Sequence, residues 1–75
     1  MYLKDLRKMN DEEILKKLNN AQQSYNKRFE IWEITRSTTD KYFMDVYLRT
    51  MNNCKKVLSE RNLKVEFING WEVIE

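Results

Sequence analysis

Seventy-five residues suffice for one small domain, and a chain of that length buries only about 60% of the surface its unfolded form exposes. Charged residues make up 35% and hydrophobic residues 41%, with no proline and one glycine, which excludes disordered, collagen-like and linker-rich chains and argues against an all-β fold. The lack of histidine and the single cysteine exclude a disulfide, an imidazole-dependent nucleophile and a Cys/His zinc site.

No apolar run approaches the roughly 18 residues of a membrane span, and no hydrophobic signal region opens the chain. The expectation is an intracellular protein with no membrane partner. Asp and Glu residues fall singly along the sequence, without the convergent pair that acid–base catalysis uses. Neither catalytic residues, nor a metal, nor a cofactor, nor a small-molecule substrate is expected. The net charge of +2, from 14 Lys and Arg against 12 Asp and Glu, is mild, so a nucleic-acid partner must be argued from where the charges lie.

Met1 to Met9 form a short leader with Leu3 and Leu6 at helical spacing. Asn10 then offers a cap, and Asp11, Glu12 and Glu13 occupy a first turn where the helix dipole favours anions. Glu13 holds the capping-box position, and Met9 and Ile14 stand at the staple positions. A helix is predicted over about 11–35. Its stripe is Ile14, Leu18, Ala21, Tyr25, Phe29 and Trp32, and its length is about 35 Å at 1.5 Å per residue.

The β-branched and hydroxyl run Thr35-Arg36-Ser37-Thr38-Thr39 breaks this helix. Ser37, followed by Asp40, or Thr38 alone can cap a second helix over about 39–61. Phe43, Tyr47, Met51, Cys54 and Leu58 form its inner stripe. Tyr42, Met44, Val46 and Leu48 widen the apolar surface of its first half, which predicts two neighbours there. Most of Phe29, Trp32, Tyr42, Phe43 and Tyr47 are expected in the core, and Cys54 is expected as a buried small hydrophobe. Asn62 suits a left-handed stop. The loop between the helices is short, so they pack antiparallel.

After Asn62 the period becomes two. Leu63, Val65 and Phe67 alternate with Lys64 and Glu66, and Asn69-Gly70 precedes Trp71 to Glu75. A two-residue Asn-Gly turn would mix the faces. A three-residue turn over Ile68-Asn69-Gly70 pairs Phe67 with Trp71 and Val65 with Val73. That gathers Leu63, Val65, Phe67, Trp71 and Val73 on one face, and it is the expected register. The fold class is therefore mostly α: an antiparallel two-helix hairpin with a short leader over 1–62, then a β-hairpin over 63–75 packing on the helices or a neighbour.

Arg49, Asn52, Asn53 and Lys56 stand at i, i+3, i+4 and i+7 and share an outer stripe of the second helix. This stripe serves either as a solvated face, with Asp45 pairing Arg49, or as a surface that neutralises phosphates while the amides reach sugars and base edges of RNA. Arg28, at the edge of the first stripe, is either a snorkelling surface side chain or a guanidinium presented to a phosphate.

Several blocks resemble one known family. They are Lys4-Asp5-Leu6-Arg7; Asn10-Asp11-Glu12-Glu13-Ile14 running into Leu15-Lys16-Lys17-Leu18; Lys27-Arg28-Phe29; and Lys55-Lys56-Val57-Leu58-Ser59-Glu60-Arg61. In order and spacing they resemble the bacterial-type large-subunit ribosomal protein family numbered twenty-nine in the universal nomenclature. The resemblance runs from residue 3 to residue 62. It departs at Glu33-Ile34-Thr35-Arg36, where the family often has Ala-Thr-Gly, and at Leu48-Arg49, which keeps one of a usual Arg pair. Asn53 stands where a further family Arg is found, and residues 63–75 are additional. Such departures suit a diverged organellar or AT-rich-genome member.

The resemblance implies a structural constituent of the large ribosomal subunit, in a bacterial cytoplasm or an organelle. It would bind large-subunit ribosomal RNA and neighbouring ribosomal proteins near the polypeptide exit tunnel, beside the family-twenty-three protein. The RNA-binding residues it implies are Lys4, Arg7 and Lys8 in the leader, with Arg28, Arg49, Asn52, Asn53 and Lys56. The competing expectation is a small phage-type inhibitor or regulator that uses its aromatic helices and hairpin edge to bind a protein.

Overall fold

The computed structural model describes residues 2–74. Three helices, α1 (Leu3–Leu6), α2 (Asp11–Thr35) and α3 (Thr38–Glu60), precede two strands, β1 (Lys64–Phe67) and β2 (Trp71–Ile74). The chain is mostly helical, with α2 and α3 forming the long antiparallel hairpin.

Local chemistry sets the helix ends. Asn10 accepts a hydrogen bond from the Glu13 amide at 2.9 Å, which starts α2 at Asp11. At the other end Arg36 adopts a left-handed conformation, φ 53°, and donates its amide to the Trp32 carbonyl at 2.8 Å. Ser37 immediately caps α3 by accepting from the Thr39 amide at 3.2 Å. Arg36 and Ser37 are thus the whole connection, and α3 spans Thr38–Glu60 rather than 39–61. Asn62, at φ 62°, stops α3. Its amide bonds Ser59 and that of Leu63 bonds Leu58, both at 3.0 Å, which closes the last carbonyls in a Schellman arrangement.

The apolar core lies at the end of the hairpin where the leader and strands gather. Leu6, Ile14, Leu18 and Ala21 meet Met51, Cys54, Val57 and Leu58 there, with Leu3, Met9, Leu63, Val65 and Trp71 packed around them. The leader is fastened to the end of α3 by charge. Arg7 donates to both Glu60 oxygens, at 3.0 and 2.8 Å. Arg61 donates to Asp11 at 2.7 Å and to the Met9 carbonyl at 2.7 Å.

Toward the loop the core becomes polar, and here two expectations are corrected. The inner face of α3 carries Asp40 and Met44 in place of Phe43, which is exposed. Phe29 and Tyr42 are exposed as well, while Trp32 and Tyr47 are only half-buried. A polar network crosses the helices here. Asp40, only 8% exposed, accepts from Arg28 at 3.0 Å and from the Thr35 hydroxyl at 2.7 Å. Asp40 stands on the inner line of α3, Met44 is buried one turn on, and Phe43 lies on the flank under Arg28. The second neighbour expected for the first half of α3 is not found either: Tyr42 stays 63% and Leu48 41% exposed. Cations cover two other rings at this end, with Arg28 over Phe43 at 4.8 Å and Arg36 over Trp32 at 4.5 Å.

The strands pair antiparallel in the register Lys64↔Ile74, Val65↔Val73, Glu66↔Glu72 and Phe67↔Trp71, the three-residue turn expected from the alternation. Gly70, at φ 126°, takes the turn position closed to L side chains. Leu63, Val65 and Trp71 pack on the helices, whereas Phe67 and Val73 at opposite corners of the same face remain 54% and 37% exposed. Trp71 is held by its indole N–H, which donates to Gln22 at 3.0 Å, and by Lys55 over its ring at 4.7 Å.

Candidate nucleic-acid interface

Helical spacing puts Arg49, Asn52, Asn53 and Lys56 on the side of α3 turned from α2, and their burial follows: Arg49, Asn52 and Lys56 are exposed and Asn53 half-buried. Among the described residues Arg49 pairs with no carboxylate, and the bond to Asp45 expected of a solvated face is not formed. One turn beyond Lys56 the stripe does reach a carboxylate, Glu60, but Arg7 occupies both its oxygens. Hydrogen bonding from Arg7 first, then its charge and those of Lys56 and Arg61, holds the Glu60 carboxyl below its ordinary pKa. The end of the stripe is thereby neutralised.

The leader divides. Lys4 and Lys8 are exposed and make no ion pair among the described residues. Arg7 is committed to Glu60, and that hydrogen bond raises the pKa of the arginine. Arg28 is likewise held, by Asp40 at 3.0 Å and against Phe43. Hydrogen bonds from Thr35 and then Arg28 keep the Asp40 carboxyl below its usual range. The two arginines therefore tie elements of the fold together.

Other polar residues take their place along the seam between α2 and α3. Two shallow hollows lie there with walls in common, and a third adjoins them on the leader side of α3. Ser24, Lys27, Arg28, Ile31 and Tyr47 line the hollow near the loop. Ser24 and Tyr47 are shared with the middle hollow, which adds Lys17, Asn20, Ala21, Val46 and Thr50. Val46 is shared with the last, which Tyr2, Arg49 and Asn53 complete. Together these hollows carry cations from Lys17, Lys27 and Arg49, with hydroxyl and amide groups between them, and their linings contain no carboxylate, while the charge of Arg28 is met by Asp40 just outside. The last hollow joins the leader to the outer stripe, since Tyr2 borders Arg49 and Asn53. Asn52 and Lys56, on α3, and Lys4 and Lys8, around α1, line none of these hollows.

Lys17, Asn20, Ser24, Lys27 and Tyr47 lie outside the set of binding residues expected from the sequence. Spacing on α2 alone puts Lys17, Asn20, Ser24 and Lys27 at i, i+3, i+7 and i+10, one carboxylate-free helical face. The spacing marks the face, and only the packing of α3 shows that it borders a hollow.

Among the described residues no group of Asp, Glu or Cys could hold a metal ion, and no helix is long and apolar enough to cross a membrane. Cys54 is fully buried, and loss of solvation pushes its thiol pKa up, which disfavours the reactive thiolate. Comparisons with protein-family models, with curated proteins and with solved structures gave no match.

Proposed function

We propose that the chain is a structural constituent of the large ribosomal subunit that binds ribosomal RNA along the seam of its helical hairpin. The observation that carries this is the set of hollows along α3, two at its seam with α2 and one beside the leader, lined by Lys17, Lys27 and Arg49 and by no carboxylate, on a chain whose net charge is only +2. Concentrating cations on one face is how a nearly neutral protein acquires affinity for a phosphate backbone. The asparagines and hydroxyls beside them suit sugar and base edges in a shallow RNA minor groove. The ordered blocks between Lys4 and Arg61 support the ribosomal assignment, a position near the exit tunnel and contacts with neighbouring ribosomal proteins. In this reading Lys4, Lys8, Arg49, Asn52, Asn53 and Lys56 remain RNA contacts and Lys17 and Lys27 join them, while Arg7 and Arg28 position the elements that carry them.

Filter binding to purified large-subunit ribosomal RNA across a salt series tests this. Arg49→Ala with Lys56→Ala should weaken binding and flatten the log–log salt slope by about one per lost phosphate contact, with helicity unchanged. Lys17→Ala with Lys27→Ala should do the same, and the exposed Lys16→Ala, outside the hollows, should not. Unchanged affinity and slope in both double variants would refute the RNA assignment.

A protein-binding module is the second reading, favoured by the uncovered apolar side chains at the loop end, Ile34 at 86% and Tyr42 at 63% exposure. Sedimentation of native lysate separates the two. The ribosomal reading expects salt-resistant migration with large subunits, and the module a free or single-partner species.

A further inference from the structure

The β-hairpin has one finished edge and one open edge. On β2, the side-chain amide of Asn19 acts as a neighbouring strand would: its oxygen accepts from the Trp71 amide at 2.6 Å and its nitrogen donates to the Trp71 carbonyl at 3.0 Å. Trp71 therefore directs its backbone groups away from β1, and Phe67↔Trp71 is a non-hydrogen-bonded pair. In an antiparallel ladder this alternates, so Glu66 and Glu72 face inward while Val65 and Phe67 turn their N–H and C=O groups outward. The Ile68 amide, which bonds the Gly70 carbonyl at 3.0 Å, obeys the same alternation. No described residue bonds the outward groups of Val65 and Phe67.

Two further features of β1 point to an occupant. Glu66 stands directly opposite Glu72, a like-charge pair that weakens a hairpin already marginal on its own. Phe67, beside the open edge on the inner face, is 54% exposed.

We propose that β1 pairs antiparallel with β1 of a second copy of this chain, about a two-fold axis at Val65. The outward groups of the two strands must meet, which leaves few registers. Centring on Lys64 sets lysine against lysine, and pairing Val65 with Phe67 sets Glu66 against Glu66. With Val65 opposite Val65, Lys64 of each copy stands opposite Glu66 of the other. That is a non-hydrogen-bonded position, where side chains approach most closely. Both ion pairs form at once because the interface is isologous. Glu66, opposite Glu72 in its own hairpin, gains a cation, Val65 exchanges both backbone bonds with its counterpart, and Phe67 comes to lie opposite Leu63 of the second copy. Beyond that point the pairing ends, since the Leu63 amide already serves Leu58 at 3.0 Å. The product is a four-stranded sheet with Asn19 closing each outer edge. The dimer stands apart from the RNA reading and does not depend on it.

Analytical ultracentrifugation of the full chain over a concentration series is the test. Wild type should move from 9.3 kDa toward twice that mass. Glu66→Lys should weaken the dimer by at least about tenfold, through lysine facing lysine, while turning the like-charge pair with Glu72 into an opposite-charge one. Near-UV circular dichroism that stays native then shows that the monomer is folded. Lys64→Glu should also give a monomer. The double variant Lys64→Glu/Glu66→Lys should restore the wild-type dimer, and the two single variants, when mixed, should form a heterodimer. A monomer at every concentration, a dimer indifferent to both single substitutions, or a double variant that stays monomeric would each overturn the proposal.

Discussion

Asn19 is the side chain whose loss should reveal most about how the strands are held. Its amide makes hydrogen bonds of 2.6 and 3.0 Å with the backbone of Trp71 and one of 3.2 Å to its own helix at Leu15. In Asn19→Ala the Trp71 N–H and C=O lose their partners in a half-buried site, at roughly 1 kcal/mol each, so about 2 kcal/mol in all. A chain of 75 residues has a total stability of only about 4–11 kcal/mol, which makes the loss large enough to read easily. Urea unfolding in a Trp32→Phe background, followed by Trp71 fluorescence, measures it. Amide exchange at Trp71 should quicken at the same time, and the exposed neighbour substitution Asn20→Ala should stay within about 0.5 kcal/mol of wild type. An unmoved urea midpoint together with a protected Trp71 amide would refute the edge-closing role of Asn19.

Further outcomes follow from the same geometry. Gly70→Ala should destabilise by about 1–2 kcal/mol in the same urea assay, since φ 126° excludes an L side chain and its Cβ would stand 3.1 Å from the Asn19 oxygen. Asp40 and Glu60 both have lowered folded-state pKa values, so their stabilisation is present above the ordinary carboxylate range and is lost as pH falls through the folded values. Acid titration by circular dichroism should show that loss, and Asp40→Asn should shrink it. Cys54, buried with a raised thiol pKa, should resist alkylation in native buffer and react at the rate of a free thiol in urea, as mass spectrometry would show. Leu18→Ala, at a fully buried core position, should cost about 2–5 kcal/mol in thermal or urea unfolding.

What the sequence determined by itself were the features governed by near neighbours. The Asn10 cap and its acidic first turn placed the start of α2, Asn62 placed the stop of α3, and the strict alternation from Leu63 to Val73 selected one strand register of two. Each depends on backbone groups a few residues apart, so a short window holds all the information. Cys54 was legible as core for a similar reason, lying midway along an unbroken stripe.

The rotation of α3 was decided elsewhere. Phe43 and Met44 lie on either side of the Tyr47–Met51 line, so periodicity fits both. The choice falls to Met44 in the packed hairpin, where Arg28 of the other helix, bonded to Asp40, covers Phe43 on the flank. Arg7 and Arg28 look like free cations in the sequence and are engaged by Glu60 and Asp40, respectively 53 and 12 residues away. The hollows at the seam likewise exist only once Lys17 and Lys27 of α2 face Val46, Tyr47 and Thr50 of α3. Asn19, one polar residue among many on α2, becomes the closing edge of β2 across 52 residues of chain. A side chain's role is set by the partner it reaches, and where that partner is brought by the packing of another element, only the tertiary structure assigns it.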